Sequence, residues 1–150
     1  MVTIDPSIEA CQAIVARINS AVTYTLARPA TYSEQIIDEY EKIDGIAVDI
    51  STLDSETLNE TLDLEDRTNH EIGIWIRSQV NDFTPATIDP LKLLVRKIFQ
   101  RILYARLASG RVQVWNVDTD MKDSPEKDSM RKKGLFVARL TARVEVEASP

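Results

Sequence analysis

The chain has 150 residues, enough for one domain with a sizeable core. Hydrophobic residues make up 43% and charged residues 28%, the balance of a soluble globular protein rather than of a disordered or membrane-spanning one. Its 24 acidic and 18 basic side chains leave a formal charge of −6 and a pI near 4.8. That excludes a protein that grips phosphate through a broad basic surface, but not one that encloses DNA without holding it.

A lone cysteine, Cys11, allows no intramolecular disulfide, and the first residues show no signal-peptide pattern. An intracellular setting is therefore expected. The tetrapeptide TIDP occurs twice, from Thr3 and from Thr87. In both places Asp is suited to cap a helix and Pro to occupy its first turn, so each copy predicts a helix start. The first helix follows Asp5-Pro6 with Ile8, Cys11, Ile14, Val15 and Ile18 on one stripe, ending near Ser20. Val22, Tyr24 and Leu26 then alternate as a strand that ends at Arg28-Pro29, and a mixed segment follows with a helical turn expected around Ile36, Ile37 and Tyr40.

Ile46, Val48 and Ile50 predict a second strand, and His70 to Val80 a third, with Ile72, Ile74 and Ile76 on one face and Trp75 and Arg77 on the other. Gly73 marks a candidate bulge. The second helix is expected after Asp89-Pro90, with a stripe from Leu91 through Leu94, Val95, Ile98, Phe99, Ile102 and Leu103 to about Leu107, and Ser109-Gly110 as its stop. Ile88 and Leu93 have the spacing of a hydrophobic staple. Arg111 to Val117 reads as a strand, and Gly134 to Ala148 as the last and longest one. The pattern predicts a single α+β domain, a mainly antiparallel sheet with two helices packed on one face.

Two long loops are expected, at about 51–69 and 118–133. The first carries Asp54, Glu56, Glu60, Asp63, Glu65 and Asp66; the second ends on Arg131, Lys132 and Lys133. Both hold too few apolar groups to fold alone, and two outcomes are open: solvated loops, or segments that order against a neighbouring subunit. A 15-residue final strand would extend about 50 Å, across a globule of about 40 Å. Either the strand bends at a bulge, or its apolar row, Phe136, Leu140, Val144 and Val146 among others, runs past its own domain and buries against a second subunit, which is the expected outcome. The basic cluster is expected to pair with a neighbour's acids and set register.

Chemistry is harder to find. One histidine, His70, beside Asp63, Glu65, Asp66 and Glu71 matches no metal-ligand spacing. Cys11 lies on an apolar stripe, which suits a core position, and no phosphate loop or nucleophile motif is present. Trp75 and Trp115 suit core or interface positions better than a platform for bases. The expectation is a protein that is not an enzyme and uses no cofactor or metal.

The order of elements resembles the tail terminator and tail-completion (neck) proteins of long-tailed bacteriophages. The matching stretches are DPSIEACQAIVARINSA, VTYTLARP, HEIGIWIRSQV, DPLKLLVRKIFQRILYARL and GLFVARLTARVEVEA. The resemblance implies a virion protein assembled in the host cytoplasm into a ring, commonly a hexamer. It also implies tail tube protein on one side, head-tail connector protein on the other, DNA passing through without tight binding, and no catalytic residues. From the residues alone, an acidic monomeric or dimeric binding module for a host protein is the alternative, with a small enzyme third.

Overall fold

The computed structural model describes residues 5–20, 30–32, 46–56, 67–80, 84–121 and 135–147. In chain order the elements are α1 (Pro6–Asn19), β1 (Thr31–Tyr32), β2 (Ile46–Glu56), β3 (Arg67–Gln79), α2 (Pro85–Ile102), β4 (Arg106–Leu107), a 3-10 turn (Ala108–Gly110), β5 (Val112–Met121) and β6 (Leu135–Glu147). The expected strand at Val22–Leu26 and the expected turn around Ile36 lie outside the described residues.

Asp5 caps α1 as its sequence suggests: its carboxylate accepts from the Ser7 amide at 2.9 Å, and Pro6 follows in the first turn. Ala10, Cys11, Ile14 and Ile18 are fully buried on one face. The second TIDP behaves differently. Helix α2 begins at Thr84-Pro85, so Asp89 and Pro90 lie inside it and both are exposed. Ile88 explains the earlier start, because it extends the buried stripe Leu91, Leu94, Val95, Ile98, Ile102 back by one turn. The expected staple is absent, since Leu93 is 52% exposed. The helix also ends sooner than its stripe suggested. Leu103 leaves helical geometry, Tyr104 takes a left-handed φ of 58°, and Leu107 is buried as part of β4.

The six strands order β1-β2-β3-β6-β5-β4 in one curled sheet, antiparallel except for the short β1–β2 pair. Helix α1 lies mainly against β2 and β3, and α2 against β5 and β6. Ile72, Ile74 and Ile76 of β3, Ala138, Leu140, Ala142 and Val144 of β6, and Val112, Val114 and Val117 of β5 meet both helices in one core. The α+β expectation, with both helices on one face, describes the molecule.

Both expected loops are shorter than their composition suggested. Residues 51–56 belong to β2 and 67–69 to β3, with Glu56 opposite Asn69. Likewise β5 continues through Asp118-Thr119-Asp120 to Met121 against β6. Backbone pairing needs no apolar side chain, so a polar run continues a strand wherever its partner also continues. The bulges fall beside Leu53 in β2 and at Trp115 in β5, while Gly73 pairs regularly with Ser51 and Thr141.

The size puzzle of the last strand resolves from within. Strand β6 is central, and each of its residues from Leu135 to Glu147 has a partner on β3. Its apolar row is consumed by the subunit's own core: Phe136 is 3% exposed, Leu140 and Val144 0%, and Val146 1%. The expected overhang is thereby corrected, because a strand of equal length and two helices cover the row. Val144→Asp is therefore expected to abolish folding rather than only assembly, since it buries an unpaired carboxylate. Leu140→Ala should cost about 2–5 kcal/mol. Denaturant unfolding checks both, by loss of a cooperative transition in the first and a lowered midpoint in the second.

Candidate assembly surfaces

The residues expected to join subunits divide into three groups. Phe136, Leu140, Val144 and Val146 are internal. Asp54 and Glu56 lie near the C-terminal end of β2. Glu60, Asp63, Glu65, Asp66, Arg131, Lys132 and Lys133 lie outside the described residues.

The sheet face opposite the helices has two characters. Toward β2 and β3 it is closed: Ala47, Asp49, Ser51, Trp75, Arg77 and Val137 are all buried. Arg77 Nη2 donates to Asp49 Oδ2 at 2.6 Å, with side chains only 5% and 7% exposed, and Thr31 Oγ1 donates to Asp49 Oδ1 at 2.8 Å. The pair ties β1, β2 and β3 together. Toward β5 the same face is open. Arg143 of β6 lies 3.6 Å from Glu71, 3.7 Å from Asp118 and 5.9 Å from the ring of Trp115, itself 42% exposed. The bulge at Trp115 breaks the alternation of β5, so Val114 and Val117 are both buried while Trp115 is outside. Pairs this exposed are each worth about 0–1 kcal/mol.

The helices meet at their C-terminal ends. Arg17 Nε donates to the Arg101 carbonyl at 3.0 Å, and Arg101 Nε returns the bond to the Arg17 carbonyl at 3.3 Å. Each guanidinium thus satisfies a carbonyl at the negative end of the other helix. Glu9 holds Arg111 at 2.8 Å. Beside it an open groove of about 540 Å³ runs between α1 and β4, lined by Gln12, Ala13, Ala16 and Arg106 among others.

A feature missed in the sequence is the outward face of α2. Lys92, Arg96 and Lys97 are exposed on it together with Leu93, and Tyr104, two residues past the helix, is 69% exposed. Helical spacing from Asp89 through residues 92, 93, 96, 97 and 100 carries the signal, but only exposure tells such a face from an ordinary solvated one.

His70 is 4% exposed on β3, opposite Val144. Burial pulls its imidazole pKa below 6.5, and the Asp5 carboxylate opposes that shift. Asp5 is itself held below the usual carboxylate range, first by the Ser7 hydroxyl bond. Burial pushes the Cys11 thiol up to about 12, leaving it a core group. Among the described residues no group of three or more His, Cys, Asp or Glu is placed to hold a metal ion.

What this geometry defines is an α+β domain whose curled, mostly antiparallel sheet carries both helices on one side. Among solved structures it is similar to a chain of the virion of a native gene transfer agent particle. The TM-score is 0.57 at 14% identity, over 91% of this chain and 93% of that one. A weaker similarity joins it to the sheath/tube terminator of an extracellular contractile injection system in its extended state. There the TM-score is 0.41 at 11% identity, over 99% of this chain and 59% of that one. The sequence matches no family profile and no curated protein. At this level of identity the shared property is the fold.

Two outcomes follow from the buried groups. Arg77→Ala leaves the Asp49 carboxylate without its ion pair and should cost about 3–5 kcal/mol, read as a lowered unfolding midpoint. For His70, the unfolded chain binds a proton near pH 6.5 while the folded chain resists it. Its contribution to stability is therefore complete above pH 6.5 and is lost as pH falls toward and through the depressed folded value. Denaturation on either side of pH 6.5 should show that loss, and His70→Gln should flatten it.

Proposed function

We propose that this chain is a structural virion protein that forms a ring at the head-proximal end of a phage tail, ends growth of the tail tube and joins it to the head connector. One observation carries the reading: a fold shared over nearly the whole chain with a component of a gene transfer agent virion, in a chain whose element order resembles tail terminators. The protein acts by shape and assembly rather than by catalysis. Its place is the virion, and its partners are other copies of itself, tail tube protein and connector protein.

A ring of six is the proposed assembly. Six copies would carry six times the −6 of a single chain, and acids facing the lumen would repel phosphate and let DNA pass. The contact between copies is proposed to be electrostatic. In it the acids Asp54, Glu56, Glu60, Asp63, Glu65 and Asp66 of one copy face cations of the next, Arg131, Lys132 and Lys133 among them. The four apolar residues of β6 have no part in it, since the core has already taken them.

Mass measured at several concentrations, with and without tail tube, tests the ring: a discrete closed oligomer is expected, favoured by tube. A monomer or dimer that ignores tube would instead favour a binding module for a host protein. Duplex DNA should bind more weakly than about 10⁻⁴ to 10⁻⁶ M at physiological salt, the range of non-specific binders with a basic face. Tighter binding with a steep salt slope would count against a passive channel.

A further inference from the structure

We infer that the outward face of α2 is the receiving surface between copies, and that it docks the acidic stretch between β2 and β3 of a second copy of this chain. This rests on the ring proposed above and specifies its contact.

Charge is strongly segregated along the chain. From Pro85 to Leu107 there are five bases, Lys92, Arg96, Lys97, Arg101 and Arg106, against the single acid Asp89. From Leu53 to Arg67 there are six acids against one base. Arg101 is engaged at the helix ends. By contrast, Lys92, Arg96 and Lys97 are exposed and make no ion pair among the described residues. An acidic chain thus presents a helix face of three cations that have no ion pair among the described residues.

The same face is amphipathic. Leu93 lies between the cations, 52% exposed, and Tyr104 is exposed just past the C-terminal end of the helix. Tyr104 holds a left-handed φ of 58°, uncommon for a bulky residue, which sets it outside the core at the end of the helix. Cations alone would suit phosphate; cations around an exposed leucine suit a peptide that brings acids and leucines together. The stretch between β2 and β3 does so, with Leu53, Leu58, Leu62 and Leu64 interleaved among its six acids.

The ring proposed above makes the occupant a second copy. Helix α2 packs on β5 and β6, while the β2–β3 hairpin belongs to the other half of the sheet order. A contact between α2 of one copy and the stretch between β2 and β3 of the next is heterologous, of the kind that closes into rings.

The test reverses each side separately. Variant one carries Lys92→Glu, Arg96→Glu and Lys97→Glu; variant two carries Glu60→Lys, Asp63→Lys and Glu65→Lys. Thermal unfolding first establishes that both are folded, as expected for variant one because its three positions are exposed. Each alone should lose the oligomer that wild type forms, and an equimolar mixture should regain it, with the two variants alternating. Wild-type assembly that weakens with salt agrees with the contact. If variant one assembles as wild type does, α2 is not the receiving surface and the ring stands without it. Two single losses with no regain on mixing also overturn the pairing. So does wild-type duplex DNA binding that variant one abolishes, which would assign the cations to phosphate. A wild-type chain that never assembles, even on tail tube, overturns ring and contact together.

Discussion

Strands β3 and β6 pair along thirteen consecutive residues, Arg67 with Glu147 through Gln79 with Leu135, and every other element takes its place from that ladder. Paired on both sides, β6 cannot serve as an edge. Its alternation therefore assigns one row to the helices and one to the opposite face. Because β3 repeats the same alternation in register, Ile72 meets Ala142, Ile74 meets Leu140 and Ile76 meets Ala138. These rows make a floor on which α1 and α2 rest. A one-residue slip would turn both rows over, so register and core are one constraint.

Above that floor the hydrogen bonds between the helices, among the described residues, gather at their C-terminal ends. The crossed bonds between Arg17 and Arg101 bring two helix C-termini together, where like ends of two dipoles would otherwise repel. Each guanidinium supplies the positive charge that the other helix end needs. The chain then leaves α2 through the left-handed Tyr104 and is held at once, since the Val114 amide donates to the Ala105 carbonyl at 2.9 Å. The exposed end of α2 is thus anchored to β5 and carries its side chains on a rigid base.

Much of the fold was legible because it depends on local periodicity. The stripe of α1, the Asp5 cap and the alternation of β3 and β6 each follow from residues close in sequence. What could not be read depends on partners far away. Asp89-Pro90 looks like a helix start as much as Thr84-Pro85 does, and only burial of Ile88 decides between them. The polar ends of β2 and β5 are strands because β3 and β6 continue beside them. The apolar row of β6 appeared to need another subunit because the equal length of β3 was hidden inside an acidic segment. The cationic face of α2 was present in the spacing all along, but exposure had to be known before it could be told from an ordinary solvated helix face.

Spending every apolar row internally has a consequence for the proposed ring. Among the described residues the broad hydrophobic faces are buried, and what is offered to other copies is mainly charge, with Leu93, Tyr104 and Trp115 as exposed apolar points. Contacts of that kind steer approach and set register more than they supply affinity, and they weaken with salt. Such subunits remain apart at low concentration and close when something holds several of them side by side. In the proposed assembly a tail tube end would be such a platform, raising the effective concentration of neighbours without adding any contact between them. An apolar interface would close rings anywhere in the cell, whereas a polar one makes closure depend on the place where the ring is needed.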